Sequence, residues 1–551
     1  MENKENSLTL PLIFNETLLK HGSSPAYAFV GENPITFETA AKHIRAVSAL
    51  LQSAGVEKGD RVALLSANMP NWAIAFFSIT SMGAVVVPVL PDFSVTEVSN
   101  ILEHSGAKVI FISSGLLHRI EGAKPENLET GILIEDFSII FSKKDSVRFD
   151  SDAVPAKDYV VEEEDLASII YTSGTTGRSK GVMLTHKNIC FNAKKGKVIQ
   201  PVDENDRFLS VLPLSHTYEN TLGLILPLLG GSCVYYLRKP PTPPVLLPAL
   251  ELIKPTVMLT VPLIIEKVYF NKVLPAFTDK RIMKIIYSIP PFRKILNKVA
   301  GKKLYKTFGG SLKFFGIGGA KLNKTVERFL LEAGFPYAIG YGLTETSPLL
   351  AGANPSKTVF DSTGPAIEDI ELKIHNPNTK TGEGEIWARG PSIMKGYYKE
   401  PEITAEVLTP DGWFKTGDLG VLDKNNNLYI KGRLKNMILG ASGENIYPEE
   451  IESVINNFRG VVESLVIQQK GKLVAMVHLN MEEIEKKYNI LRQDMADKAD
   501  KYEERLQEIL AELQEYVNAH VNKFSKINKV VLQPVPFQKT ATMKIKRFLY
   551  T

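Results

Sequence analysis

Apolar positions in the first 165 residues switch repeatedly between helical and strand spacing. From Ala40 to Ala54 they recur at helical intervals and stop at Gly55, which predicts a helix. Arg61 to Leu65 predicts a strand, Asn71 to Gly83 an apolar helix, and Val85-Val86-Val87 a buried strand closed by Pro88. A further helix and strand follow over Val95 to Gly106 and Lys108 to Ile112. Such alternation predicts α/β layers around a mostly parallel sheet. Toward the other end, Asp494 to Val521 is charged and strongly helical, with an apolar stripe of Tyr502, Leu506, Ile509, Leu513, Val517 and Val521. That stripe gives one buried face and one wet face. The most apolar span, Thr221 to Leu237, holds Pro227 and Gly230-Gly231. At about 17 residues it falls short of the ~20 a bilayer crossing needs and reads as core.

Polar, glycine-rich segments interrupt this pattern. A strand-like run, Leu166 to Tyr171, leads into Thr172-Ser173-Gly174-Thr175-Thr176-Gly177-Arg178-Ser179-Lys180-Gly181. Glycines let backbone N–H groups converge, and hydroxyls and cations add donors, which suits a nest for phosphate oxygens. The Walker A pattern fails, because Ser179 precedes Lys180 and Gly181 follows it. A plain flexible loop is the competing reading. Val182-Met183-Leu184 then precedes a helix start at Thr185-His186-Lys187-Asn188.

Further on, His216 sits among hydroxyls in Pro213 to Asn220, where it could line a pocket for an apolar acid or simply pack. Gly316-Ile317-Gly318-Gly319-Ala320 follows a strand-like Leu312 to Phe315, and could let a flat base approach the backbone. Lys321 occupies the place of the last glycine of a dinucleotide fingerprint. Gly340-Tyr341-Gly342-Leu343-Thr344-Glu345-Thr346 gathers a ring for stacking, a hydroxyl for phosphate and a carboxylate for Mg²⁺. Thr416-Gly417-Asp418 puts a carboxylate in a turn between strands. Gly432-Arg433-Leu434-Lys435-Asn436 reads as an exposed connection after the strand Leu428 to Lys431.

Composition adds bounds. A chain of 551 residues exceeds one core and predicts two or more domains. A net charge of +4 against 126 charged groups does not argue for nucleic acid. Two cysteines, Cys190 and Cys233, fit a reducing compartment, and the polar N-terminus has no signal-peptide core, so the chain reads as cytoplasmic. The one local charge anomaly is Lys280 to Lys306, which has no acidic residue. It holds Lys280, Arg281, Lys284, Arg293, Lys294, Lys298, Lys302, Lys303 and Lys306, with Ile282, Ile285, Ile286, Phe292, Ile295 and Leu296 interleaved. It reads either as a solvated helical hairpin broken at Pro290-Pro291 or as a peripheral contact with an anionic membrane.

Taken together, these segments resemble the AMP-forming (adenylate-forming) acyl-CoA synthetases, closest to the long-chain fatty acid–CoA ligases, from roughly Leu10 to the C-terminus. The segments at Tyr171 to Gly181, Gly318-Gly319-Ala320, Tyr341 to Thr346, Thr416 to Asp418 and Gly432 to Lys435 appear in that family's order. Ser442-Gly443-Glu444-Asn445 to Glu452 is similar to the segment after the family's hinge, and Thr540 to Lys544 to its catalytic-lysine tail. Many members carry Ser-Gly before that lysine where this chain has Thr542-Met543; Thr-Met-Lys, Glu219-Asn220 and the helical insertion resemble the long-chain branch.

The resemblance implies a large N-terminal domain of layered α/β sheets over 1–432, a hinge at 433–436 and a small mobile α+β domain over 437–551. The insertion would span about 482–525. It implies that Thr172, Ser173, Gly174, Thr175, Thr176, Gly177 and Lys180 hold phosphates, with Gly318, Gly319, Ala320, Tyr341 and Gly342 around adenine. Thr344 and Glu345 would serve the α-phosphate and Mg²⁺, Asp418 and Arg433 the ribose, and Lys544 the attacking carboxylate. His216 would line the acyl pocket, Lys435 would be the pivot, and Ser442, Gly443 and Glu444 would meet coenzyme A. The implied reaction consumes a fatty acid, ATP and coenzyme A. An acyl carrier protein is the alternative acceptor. A luciferase-type oxygenase and a nucleotide-binding protein without turnover are the remaining rivals.

Overall fold

The computed structural model describes residues 7–121, 125–173, 179–440, 445–482, 484, 499–540 and 544–550, without the side chains of Ser173 and residues 499–503. The alternating pattern folds as it reads: helix Phe37–Ser53, strand Arg61–Leu65, helix Pro70–Ser81, strand Val85–Val89, helix Val95–Ser105, strand Val109–Ile112. Ser94 and Glu97 form a capping box at the start of the last of these helices. Gly106, at φ +66°, ends it in the left-handed conformation. One boundary differs. The strand Val85–Val89 continues through Pro88, which the sequence predicts as its stop. Only Val86, opposite Ser168, pairs it to the strand Leu166–Ser173, so that side of the ladder has room for a residue without an N–H.

Two eight-stranded sheets form the N-terminal body. The first runs in space Leu349–Gly352, Tyr337–Gly342, Phe314–Ile317, Val257–Thr260, Arg207–Ser210, Cys233–Tyr236, Pro25–Phe29, Ile35–Thr36. The second runs Gly396–Tyr397, Ser179–Thr185, Leu166–Ser173, Val85–Val89, Arg61–Leu65, Val109–Ile112, Thr130–Leu133, Ile139–Ser142. Both are parallel at their centres and antiparallel toward their edges. The helix Pro70–Ser81 is buried all round, and its Trp72, Phe76 and Phe77 share a core with residues of both sheets. A helix apolar on every face has to be enclosed in this way. The apolar span beyond Thr221 is core, with Leu224 and Ile225 fully buried.

A four-stranded antiparallel sheet, Glu371–His375, Gly384–Arg389, Phe414–Leu422 and Leu428–Arg433, leads to a smaller C-terminal body. There the strands Val461–Gln469, Lys472–Leu479 and Lys529–Leu532 pack against helices Pro448–Ile455 and Ala499–His520 around a separate core. The predicted stripe supplies that core: Leu506, Ile509, Leu513 and Val517 are buried. Each such side chain contributes roughly 1.5–3 kcal/mol by leaving water. The Tyr502 side chain lies outside the described residues. No helix among the described residues is long and apolar enough to cross a membrane.

The two bodies meet through polar contacts. Asn323 Nδ2 donates to Asn457 Oδ1 at 2.7 Å and to the Ser453 carbonyl at 3.1 Å. Tyr447 donates its hydroxyl to Glu383 at 2.9 Å, and Arg459 pairs with Asp279 at 3.0 Å.

Candidate active site

The site starts from a cross-strand pair. Asp418 and Arg433 are direct partners between the antiparallel strands Phe414–Leu422 and Leu428–Arg433. Their side chains meet, with Arg433 Nε 2.9 Å from Asp418 Oδ1. Both strands differ from the sequence reading. Asp418 lies inside one continuous strand rather than in a turn, because Gly417 takes φ +70° and Thr416 Oγ1 accepts the Asp418 N–H at 3.1 Å. The second strand reaches Arg433, and the exposed connection begins one residue later at Leu434, in the 3₁₀ turn that holds Lys435. Tyr341 donates its hydroxyl to the other Asp418 oxygen at 2.9 Å. Burial raises the Asp418 carboxyl above its ordinary value, against the pull of Arg433 and the Tyr341 bond. Asp418 in turn holds the Arg433 guanidinium above its usual range.

Tyr341 ends the strand Tyr337–Gly342, and the chain then turns sharply through Thr344-Glu345-Thr346. A Cβ at Gly342 would lie 1.7 Å from the Pro348 carbonyl oxygen, so only glycine permits that turn. Glu345 Oε1 accepts the Tyr397 hydroxyl at 2.9 Å, and Lys180 Nζ lies 4.9 Å from the centre of the Tyr397 ring. Tyr397 therefore ties the turn to the hairpin of strands Leu166–Ser173 and Ser179–Thr185, where Thr172 stands opposite Lys180. Thr185 and Asn188 then cap the following helix reciprocally, as the sequence predicts. Tyr397 carries no signal in the sequence. It is one aromatic in a two-residue strand, and only its register opposite Val182 brings it here.

Lys544 arrives from the C-terminal body. The Thr540 N–H donates to the Lys544 carbonyl at 2.8 Å, and the Lys544 N–H donates to Thr540 Oγ1 at 3.2 Å, closing the segment on itself. Lys544 is exposed as a residue. Crowding at its ammonium nevertheless lowers its pKa, with desolvation first and then the Arg433 cation, while Asp418 and Glu345 pull the other way. The same charge acts on His216, whose pKa falls to about 4, chiefly through burial and then through Lys544. His216 is thus neutral near pH 7. Its Nδ1 accepts the Tyr218 N–H at 3.3 Å, so Nε2 carries the proton.

Two residues after His216, Tyr218 lines an apolar cavity, together with Gly196, Leu222, Leu259, Gly316 and Gly340. The Tyr218 ring also flanks Gly318, where a Cβ would lie 3.1 Å from it. Gly319 takes φ +83° and is exposed with Ala320. Tyr218, like Tyr397, escapes the sequence reading. His216 drew attention for its titratable ring, whereas a tyrosine between Thr217 and Glu219 does not stand out.

The described candidates therefore converge on one site: Lys180, Glu345, Tyr341, Asp418, Arg433, Lys544 and His216, with Thr344 and Gly342 in the adjoining turn. Lys435 stands one turn away in sequence from Arg433. Gly174, Thr175, Thr176, Gly177, the Ser173 side chain, Ser442, Gly443 and Glu444 lie outside the described residues.

Comparison with known proteins matches residues 14–398 to the family described as AMP-binding enzyme. The chain belongs to that family. Among relatives of this AMP-binding enzyme, a long-chain-fatty-acid–CoA ligase of Salmonella typhimurium is 30% identical over 84% of this chain and 83% of its own. A chloroplastic long-chain-fatty-acid–[acyl-carrier-protein] ligase of Arabidopsis thaliana is 28% identical over 87% of this chain and 77% of its own. Among solved structures, ATP-bound MatB from Rhodopseudomonas palustris superposes with a TM-score of 0.77, covering 98% of each chain at 22% identity. That similarity shows a shared fold over nearly the whole chain, with a large N-terminal and a smaller C-terminal domain.

Proposed function

We propose that this AMP-binding enzyme activates a long-chain fatty acid with ATP and passes the acyl group to coenzyme A. One carboxylate oxygen of the acid attacks the α-phosphorus, and the bond to the β-phosphate breaks, releasing pyrophosphate. The thiol sulfur then attacks the acyl carbon, the bond to AMP breaks, and the thiol proton leaves to solvent. The observation that carries this reading is the position of Lys544. Its ammonium shares the electrostatic surroundings of Asp418, Arg433, Glu345 and a neutral His216, and Tyr218, two residues from His216, lines an apolar cavity. An apolar chain filling the cavity would bring its carboxylate to His216 Nε2–H and Lys544. Two anions must meet at phosphorus, so charge neutralisation and positioning dominate the barrier.

Arg433 and Asp418 would grip the ribose, with Gly318 to Ala320 and Tyr341 around the base, and Thr172 to Lys180 on the outer phosphates. The Thr344 hydroxyl and Glu345 Oε2 have no hydrogen-bond partner among the described residues, and these adjacent hard oxygens fit Mg²⁺. One carboxylate supplemented by phosphate oxygens is a common magnesium arrangement. When bound, that ion would neutralise charge on the departing pyrophosphate. We further propose the division 1–432, 433–436 and 437–551, with rotation about Lys435 bringing the segment from Ser442 to Glu444 to coenzyme A. The two buried free thiols, Cys190 and Cys233, fit a cytoplasmic setting.

The test is a panel of acids from acetate to oleate, assayed with ATP for pyrophosphate exchange and then with coenzyme A or acyl carrier protein for thioester. Long-chain acids should turn over best, with coenzyme A as acceptor. Lys544→Ala should abolish exchange yet still convert supplied acyl-adenylate to thioester. A preference for short acids would refute the substrate assignment, and transfer to the carrier protein alone would replace the acceptor.

A further inference from the structure

Helices Arg281–Ser288 and Pro290–Thr307 form a hairpin whose amphipathicity is inverted. Three of its polar side chains, Tyr287, Arg293 and Asn297, turn inward. Tyr287 donates its hydroxyl to Asn297 Oδ1 at 2.9 Å, while Asn297 Nδ2 and Arg293 both bind Glu332 on the neighbouring helix Lys324–Ala333, each at 2.7 Å. Gly301 seats the second helix against Ala333, where a Cβ would lie 2.5 Å from the alanine Cβ. The large apolar side chains face water: Ile282 is 74% exposed, Ile285 58%, Ile289 41%, Phe292 51%, Ile295 60% and Val299 64%.

Their spacing makes two coherent stripes. Residues 282 and 285 follow i, i+3 on the first helix and 292, 295 and 299 follow i, i+3, i+7 on the second, with Ile289 in the extended junction between them. Cations flank both. Lys284 precedes Ile285, Lys294 precedes Ile295, Lys298 precedes Val299, and Lys303 follows Val299 by one turn. Between residues 280 and 306 there is no carboxylate, and only Arg293 among the cations has an ion-pair partner among the described residues. An outward apolar face is favourable against an apolar medium, and a cluster of exposed cations without carboxylates attracts a negatively charged surface.

We infer that this hairpin docks the enzyme on an anionic phospholipid leaflet, with the isoleucine stripes and Phe292 entering the acyl boundary and the lysines meeting the headgroups. The apolar stripes decide between a lipid surface and an acidic protein. Cations alone would satisfy an acidic protein, whereas a bilayer accepts both the apolar side chains and the reach of the lysine stems. The docking goes beyond the proposed reaction and does not depend on it.

The test uses the full chain sedimented with phosphatidylcholine vesicles, either pure or containing about a third phosphatidylglycerol. The anionic vesicles should bind at least about tenfold more enzyme, and added salt should weaken that preference. Ile285→Ser/Phe292→Ser/Ile295→Ser should lower partition about tenfold or more while leaving ATP–pyrophosphate exchange intact, since these side chains lie in solvent. Lys284→Gln/Lys294→Gln/Lys298→Gln should erase the anionic preference alone. Equal partition into both vesicles, or unchanged binding by the serine variant, overturns the inference. So does capture of an acyl carrier protein by this face without vesicle binding.

Discussion

At the scale of single residues, Glu219 is the group whose chemistry the proposed reaction leaves unused. It is 2% exposed, and burial pushes its carboxyl up to about 8. The Ser210 hydroxyl donates to one oxygen at 2.6 Å, and the other has no hydrogen-bond partner among the described residues. Unfolded, the carboxyl titrates near 4.5. Between these values the folded chain holds a proton that the unfolded chain has lost. Stability therefore falls as pH rises through that window, by at most about 1.4 kcal/mol per pH unit, and levels off above it. Glu219→Gln keeps the shape and removes the titration. Its urea midpoint should depend less on pH between about 5 and 8 and should exceed the parent's at pH 8. Glu327 and Glu452, each pushed up to about 7, titrate in the same window, so the difference between variant and parent is the quantity to read. Parallel pH curves would show that Glu219 is not the buried acid described.

At the scale of elements, the turn Leu434–Asn436 joins the strand Leu428–Arg433 to the C-terminal body. Lys435 sits early in it, and the turn closes through the Met437 N–H on the Arg433 carbonyl at 3.0 Å. Proline suits the φ of a 3₁₀ turn, so Lys435→Pro should preserve the arrangement seen here. The same ring forbids the φ change that a rotation would need. ATP–pyrophosphate exchange should persist, while thioester formation from acyl-adenylate should fall roughly tenfold or more. Equal loss in both half-reactions would move the pivot elsewhere. Legibility in the sequence also divides by element. Helices and buried strands of the N-terminal body were readable because burial on one or both faces imposes a period. The stripe ending at Val521 was readable for the same reason. Asp418 and Arg433 were readable as chemistry but not as partners: their pairing depends on a strand register that shifts between Leu419 and Gly420, which composition does not encode. Tyr397 and Tyr218 were illegible because each reaches the site through tertiary packing alone.

At the scale of the whole molecule, two bodies with separate cores meet across hydrogen bonds and ion pairs, and such polar seams favour relative motion. Asn323 is the densest point of the seam, and its two ends do different work. Oδ1 caps the helix Lys324–Ala333 by accepting the Thr325 N–H at 2.9 Å, while Nδ2 reaches Ser453 and Asn457 in the C-terminal body. Asn323→Ser retains an oxygen for the cap and removes the arm across the seam. Each lost hydrogen bond contributes about 0.5–1.5 kcal/mol, enough to move the balance between two arrangements by about two- to tenfold. If the proposed rotation carries Lys544 away from the surroundings of Asp418 and Glu345, the thioester-to-adenylation rate ratio should rise by that factor without loss of fold. Equal changes in both rates would mean that this seam does not select between the two half-reactions.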